Sequence, residues 1–363
     1  MRIAFFGSSL VSSYWNGAAT YYRGMIRALA ARGHRITFFE PDAYERQQHR
    51  DIDNPSWAEV VVYEANESAA LKAVSQARSF DVIVKASGVG IFDALLEESV
   101  LSLKTSTNLI VFWDVDAPAT LDRVNHDPRA PFRRLIPNFN VIFTYGGGDP
   151  VIRAYERLGA ADCVPVYNAL DPETHYPVEP DTRFEADLGF LGNRLPDREK
   201  RVEEFFLQPA AMLPERRFLL GGAGWSDKPM TGNVAYFDHV YTRDHNAFNS
   251  TPRTVINISR ESMARYGFSP ATRVFEAAGA AACLISDGWQ GIDLFLEPGR
   301  EILVANSARE VVEHLLALTK DQAHSIGAAA RRRVLAHHTY SQRALQVEQV
   351  LEGKAMPVAG VVS

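Results

Sequence analysis

The feature that most limits what this chain can fold into lies in its first 40 residues, where strand, helix and strand follow one another at the spacing of a βαβ unit. Arg2-Ile-Ala-Phe-Phe6 is an apolar run of the kind that is buried on both faces, and it ends at Gly7-Ser8-Ser9. Tyr22, Met25, Ile26 and Leu29 then recur at i, i+3, i+4 and i+7, the stripe by which a helix packs on a sheet, until Gly33 stops the pattern. Arg35-Ile-Thr-Phe-Phe39 is the second strand. Parallel strands need such a crossover, so the expected core is a parallel sheet covered by helices. Apolar runs at 60–63, 82–85, 109–113 and 141–144 alternate with helical patterns and extend that sheet.

A second series follows the Pro- and Asp-rich passage 164–177, which has the composition of a linker. Its strands are expected at 188–191, 218–220, 254–258, 282–285 and 301–304, and closing helices at about 308–318, 321–337 and 341–352. The spacing therefore predicts two Rossmann-like α/β domains, 1–165 and 166–340, then a helix and tail over 341–363 that packs back toward the first domain. The last residues, 355–363, read as a loose tail. Ligands in such sheets sit at the carboxyl ends of the strands, which places the expected site in a cleft where the two domains face each other.

Composition narrows the functional classes. A chain of 363 residues with 46% hydrophobic content fills two cores and is not disordered. A net charge of −6 supplies no field for a polyanion, so nucleic acid is not an expected partner. The two cysteines, Cys163 and Cys283, have neither disulfide nor zinc-site spacing, which points to a reducing, cytoplasmic setting. The N-terminal apolar run breaks at Gly7, against a signal peptide, and no stretch nears the roughly 20 apolar residues that span a bilayer. Peripheral membrane contact and oligomeric state stay open.

Chemistry concentrates at loop-to-helix junctions, whose free N–H groups suit phosphate. The dinucleotide fingerprint Gly-x-Gly-x-x-Gly is absent, although Glu40 stands where a ribose-binding acid would follow a second strand. The loop Gly7 to Gly17 opens the first helix and lets backbone approach a ligand. Gly192-Asn193-Arg194 ends a strand and Arg198 begins the next helix, so two guanidiniums could clamp a diphosphate there, or Arg198 could belong to a solvated helix face. Arg260 to Gly288 is the strongest stretch, above all Ser269 to Asp287: Pro270 leads into a helix with Arg273 and Glu276 one turn apart, followed by small residues and a buried strand. Arg273 can meet phosphate and Glu276 ribose hydroxyls, unless the two pair with each other. Asp114 and Asp116 lie just past an apolar strand, as a general base or as turn-forming acids with Pro118. His126 could also be a base, and His34 is expected to shape a helix-to-strand turn. Tyr14, Trp15 and Tyr21 could stack on a sugar, whereas Tyr22 belongs to the core stripe.

The segment around Arg273-Val-Phe-Glu276-Ala resembles the nucleotide-binding signature of GT-B fold glycosyltransferases, in particular the CgeB-like (spore-maturation-type) branch of the family-4-like enzymes. Gly189-Phe-Leu-Gly192-Asn-Arg194, Val255-Ile-Asn-Ile-Ser-Arg260, Pro298-Gly299-Arg-Glu301 and His338-Thr339-Tyr340 agree in order, so the likeness spans residues 187 to 352. It is weaker in the first half, at Asn16-Gly17-Ala18 and Ala31-Arg-Gly33-His34-Arg-Ile36.

The resemblance implies transfer of a sugar from a nucleotide-diphosphate sugar, UDP-, dTDP- or GDP-linked, to an acceptor held mainly by the first domain, with no metal and no cofactor. It assigns Glu276 to the ribose, Arg194 and Arg198 to the diphosphate, Arg260 and Arg273 to the neighbourhood of the phosphates, and the loop from Gly222 through Asn233 to His239 to the base. Asp114 or Asp116 would be the base that deprotonates the acceptor, the alternative being the metal-binding Asp-x-Asp of GT-A enzymes. One position departs from the pattern: Phe268 stands where related enzymes carry a first glutamate that contacts the sugar. An epimerase or hydrolase of the same fold, and a nucleotide-sugar-binding protein without transfer, are the competing readings.

Overall fold

The structure is a computed structural model that describes residues 1–14 and 16–353, so Trp15 and the tail 355–363 lie outside the described residues. The chain divides into two compact units. One comprises Met1–Tyr167 together with the segment that begins at Tyr340, and the other Asn168–Thr339.

The first unit is built on seven parallel strands, β1 (Arg2–Phe6), β2 (Arg35–Asp42), β3 (Glu59–Glu64), β4 (Val82–Ala86), β5 (Leu109–Asp114), β6 (Val141–Thr144) and β7 (Cys163–Pro165), in the order β3-β2-β1-β4-β5-β6-β7. The central strands are buried on both faces, as continuous apolar runs require: Phe5 lies opposite Phe38 on one side and Val84 on the other. The crossovers carry α1 (Ala19–Ala31), α2 (Glu67–Gln76), α3 (Asp93–Leu101), α4 (Ala117–His126), α5 (Pro131–Leu135) and α6 (Gly148–Arg157). Tyr22, Met25, Ile26 and Leu29 form the buried stripe of α1.

The second unit has six parallel strands, β8 (Leu188–Leu191), β9 (Phe218–Gly221), β10 (Val234–Phe237), β11 (Thr254–Asn257), β12 (Leu284–Asp287) and β13 (Leu303–Ala305), in the order β10-β9-β8-β11-β12-β13. Between them lie α7 (Glu199–Val202), which runs through a π-helical turn Glu203–Leu207 into α8 (Gln208–Met212), then α9 (His245–Ser250), α10 (Glu261–Tyr266) and α11 (Thr272–Gly279), while α12 (Ala308–Ala317) and α13 (Lys320–His337) follow β13. Thr319 and Gln322 cap α13 reciprocally, the sequence signature of a capping box. Leu188, Phe190, Phe206, Phe218, Leu220, Trp225, Ile256 and Ile285 make the core.

The last helix, α14 (Tyr340–Leu351), belongs to the first unit. Gln346 donates to the Pro165 carbonyl at 2.9 Å and Arg343 to that of Tyr167 at 3.3 Å, while Glu348 accepts from the Arg32 guanidinium and lies 3.3 Å from His34. His34 thus anchors the α1–β2 turn.

Three elements depart from the sequence expectation. β7 has only three residues and contains Pro165, which an edge strand tolerates and a linker composition conceals. β10 is a half-buried edge strand inside the segment expected to be a base-binding loop. β12 starts two residues later than expected because Ala281, at φ +57°, turns the chain after α11.

Candidate functional site

The polar groups expected to bind the donor gather at the carboxyl ends of the second unit's strands. β8 and β9 end side by side: Gly192 donates to the Gly221 carbonyl at 2.7 Å, Arg194 to that of Ala223 at 2.9 Å, and the Trp225 indole to that of Gly192 at 2.8 Å. Asn193 completes the junction by accepting from the Ala223 amide at 3.0 Å. Gly222 is required here twice over. Its φ is +126°, and a Cβ would stand 2.5 Å from the Gly192 carbonyl, a backbone atom with no room to retreat.

Two guanidiniums lie over one buried ring beneath this junction. The central carbons of Arg198 and Arg273 are 5.7 and 5.5 Å from the centroid of Phe190. Arg198 also donates to the Asn193 carbonyl. Yet Arg198 Nε and Arg273 Nη1 are buried without a hydrogen-bond partner. Burial pushes both guanidiniums down to about 10, and for Arg198 the neighbouring positive charges of Arg273 and Arg260 push in the same direction. Unsatisfied donors on desolvated, mutually repelling cations are what a bound anion would relieve.

The surrounding charges are paired. Arg260, at the start of α10, holds Asp197 at 2.7 Å. Arg201, which sequence reasoning missed because it reads as one more charge on a solvated helix, holds the fully buried Asp287 at 2.6 Å and Glu261 at 3.2 Å. Asp287 also accepts from the Ser259 amide at 2.8 Å and its hydroxyl at 3.1 Å, tying the ends of β11 and β12 to α7. Burial outweighs these partners and raises the Asp287 carboxyl above its ordinary value.

Glu276 is one turn beyond Arg273 on α11, but its carboxylate faces a different group. His175 Nε2 lies 3.8 Å from Glu276 Oε1. The alternative of an Arg273–Glu276 ion pair is therefore not the arrangement found.

Other expected residues are placed differently. Arg194 gives its donors to Glu199 at 2.8 and 3.0 Å and to Asp227 at 2.7 Å, and these acids hold its guanidinium above its ordinary value. It stands as a surface clasp between the two loops rather than as a free phosphate ligand. Asn233 bonds the carbonyls of Ala210, Leu213 and Arg216, which fixes the turn before β10 and leaves its amide nitrogen none for a base. Phe268 has φ +47°, donates its amide to the Gln290 carbonyl at 2.6 Å and packs its ring on Gly291.

In the first unit the two aspartates separate by environment. Asp114 is fully buried and accepts from the hydroxyls of Ser87 at 2.7 Å, Thr120 at 3.0 Å and Tyr155, and from the Asp116 amide at 3.1 Å. Burial raises its carboxyl above the ordinary range. With every side enclosed, it organises the β5–α4 corner and is not reached by an acceptor hydroxyl, which corrects its reading as a base. Asp116 is partly exposed at the start of α4. Glu40, also fully buried, accepts from the Ser9 hydroxyl, the Leu10 amide and Gln47, so it anchors the first loop instead of meeting a ribose. Gly17 lies exposed in that loop with open space around it. Tyr21 is buried, donating to the Val166 carbonyl, and is no sugar platform; Tyr14 is exposed and stacks on His49 at 4.1 Å. His126 is exposed and bonds the Asp122 carbonyl in its own helix.

Among the described residues no three His, Cys, Asp or Glu side chains gather to hold a metal ion, and no helix is long and apolar enough to cross a membrane.

Residues 198–349 match a protein-family model described as glycosyl transferase-like, a span that takes in Arg198, Arg260, Arg273 and Glu276 but begins after Arg194. Sucrose-phosphate synthase from Thermosynechococcus elongatus is similar in structure, with TM-score 0.69 and 13% identity over 97% of this chain and 98% of that one. Anabaena HepE in complex with UDP and glucose gives TM-score 0.68 and 13% identity over 97% and 100%. This is a glycosyltransferase of the GT-B fold. A third similar structure, from E. coli and bound with UDP-2-fluoro glucose, reaches TM-score 0.69 at 9% identity over 98% and 100% of the two chains. No curated protein matches by sequence. The glycosyltransferase keeps, at these low identities, the two parallel sheets of its structural neighbours, of seven and six strands.

Proposed function

We propose that this glycosyltransferase takes its sugar from a nucleoside diphosphate held by the second unit, with Arg198 and Arg273 on the diphosphate and Glu276 on the ribose. The observation that carries this reading is the pair of buried, unpartnered N–H groups on two guanidiniums that share the Phe190 ring. A diphosphate satisfies both donors and neutralises their repulsion. As the bond from the sugar to the diphosphate breaks, negative charge grows on the leaving oxygen, and fixed cations close to it lower the barrier without a metal. Arg260, already bonded to Asp197, supports the cluster electrostatically. The neighbours bound with UDP or a UDP-sugar favour a uridine nucleotide as the donor.

The acceptor is assigned to the first unit, where Asp116 is the accessible carboxylate at the carboxyl end of β5 and takes the proton of the attacking hydroxyl. Asp114 supports it through the bond from the Asp116 amide. The Arg273-Val-Phe-Glu276 stretch supports the CgeB-like branch, and the two free, buried thiols of Cys163 and Cys283 fit a cytoplasmic enzyme.

The test is release of UDP from UDP-glucose and other UDP-sugars, with and without EDTA and with candidate acceptors. UDP release that survives EDTA is expected. Release abolished by chelator overturns the metal-free scheme, and UDP binding without any release overturns transfer from a uridine donor.

A further inference from the structure

Glu276 is oriented by a segment outside its own helix. His175 lies in the 168–177 passage, 8% exposed, against α11. The contact is close enough that Gly279 cannot carry a side chain: a Cβ there would be 2.3 Å from Leu170 and 3.0 Å from the His175 carbonyl. The helix and the passage are therefore locked in register, which fixes the imidazole relative to the carboxylate.

Thr174 Oγ1 lies 3.2 Å from the Asp171 carbonyl, to which it can donate, and 2.9 Å from His175 Nδ1, from which it accepts whenever that nitrogen carries a proton. A protonated imidazole donates from both ring nitrogens, from Nδ1 to Thr174 and to its other side from Nε2. That nitrogen faces Glu276 Oε1 at 3.8 Å, within ion-pair range but beyond a hydrogen bond. A protonated His175 presents an N–H and a positive charge to that carboxylate.

We propose that His175 is a positioning residue for donor binding: in its charged form it holds the Glu276 carboxylate in place for the ribose hydroxyls and offsets its charge. This rests on the reading of Glu276 as the ribose ligand. Other ionisable groups around the carboxylate do not take this part. His245, from α9, bonds the Val240 carbonyl through Nε2 at 3.2 Å, and burial keeps its imidazole below the ordinary value. Arg273 is directed over Phe190. His338, beyond the end of α13, packs on the Phe275 and Phe295 rings. His175 is thus the histidine whose ring nitrogen faces the Glu276 carboxylate at ion-pair distance.

Calorimetric titration of the full chain with UDP at pH 5.5 and 8.5 tests this. UDP titrates in the same range, so the quantity compared is the ratio of variant to wild-type affinity at each pH. His175→Ala is expected to bind UDP about fivefold more weakly at pH 5.5 and nearly as wild type at pH 8.5. His175→Gln keeps an N–H toward Glu276 but cannot titrate. It is expected to bind about threefold more weakly than wild type at pH 5.5 and more tightly at pH 8.5, a crossing that lost packing does not produce. Glu276→Gln should weaken UDP binding at both pH values and abolish the effect of His175→Ala. Equal ratios at the two pH values for both His175 variants overturn the positioning role while leaving the ribose assignment standing. Unchanged UDP affinity in Glu276→Gln overturns the ribose assignment and the proposal with it.

Discussion

Replacing Arg273 by methionine should stabilise the protein and weaken its hold on UDP, and the opposition of these two signs is what separates a ligand-binding cation from a structural one. The guanidinium is depressed from its ordinary value to about 10 by burial, which at 1.36 kcal/mol per unit means that the folded state disfavours this charge by about 3 kcal/mol. The sign follows from linkage: a depressed arginine costs stability at every pH below its folded value, and the cost is relieved only as pH rises above about 10 toward the ordinary arginine value. Methionine keeps the apolar stem over Phe190, removes the charge and relieves the neighbouring Arg198. Against this stands the lost stacking on the ring, about 0.5 to 1 kcal/mol. A net gain of about 2 kcal/mol is expected in urea unfolding monitored by tryptophan fluorescence. Calorimetry with UDP should show affinity falling about 10- to 100-fold, the value of a charge-assisted hydrogen bond to phosphate. A variant that is less stable than wild type and binds UDP unchanged would refute the reasoning, because Arg273 would then be holding the fold together.

The two aspartates are expected to fail in different ways. Asp116→Asn should leave UDP affinity intact and cut transfer by about 10²- to 10⁴-fold, measured with any accepted sugar acceptor. Asp114→Asn should instead lower unfolding stability by about 1 to 3 kcal/mol, since it leaves at least one of the Ser87, Thr120 and Tyr155 hydroxyls mismatched in a sealed site. Arg194→Ala should change UDP affinity by no more than about threefold, in the range of an exposed ion pair, because its donors already bond Glu199 and Asp227. A loss as large as that expected for Arg273 would return Arg194 to the diphosphate.

What could be read from the amino acids alone divides along a physical line. The βαβ start, the second strand series and the closing helices were legible because burial on both faces of a parallel sheet leaves uninterrupted apolar runs, and because caps such as Thr319-x-x-Gln322 are local. β7 and β10 were not, since edge strands of three and four residues need no such run. The site divides in the same way. Residue type and position at a strand end identify Arg198, Arg273 and Glu276 as candidates, but they carry no information on which charges are already paired. Arg194 and Arg273 are both arginines at loop-to-helix junctions, and only the positions of Glu199 and Asp227 separate them. Asp114 and Asp116 differ by two residues of sequence, yet one is enclosed by hydroxyls from β4–α3, α4 and α6 while the other is partly exposed. The same holds for His175, a residue in a linker-like passage whose link to Glu276 is set by the packing of Gly279 against that passage. Function in this glycosyltransferase is therefore encoded less by the presence of charged residues than by which of their hydrogen-bonding groups the fold leaves unanswered.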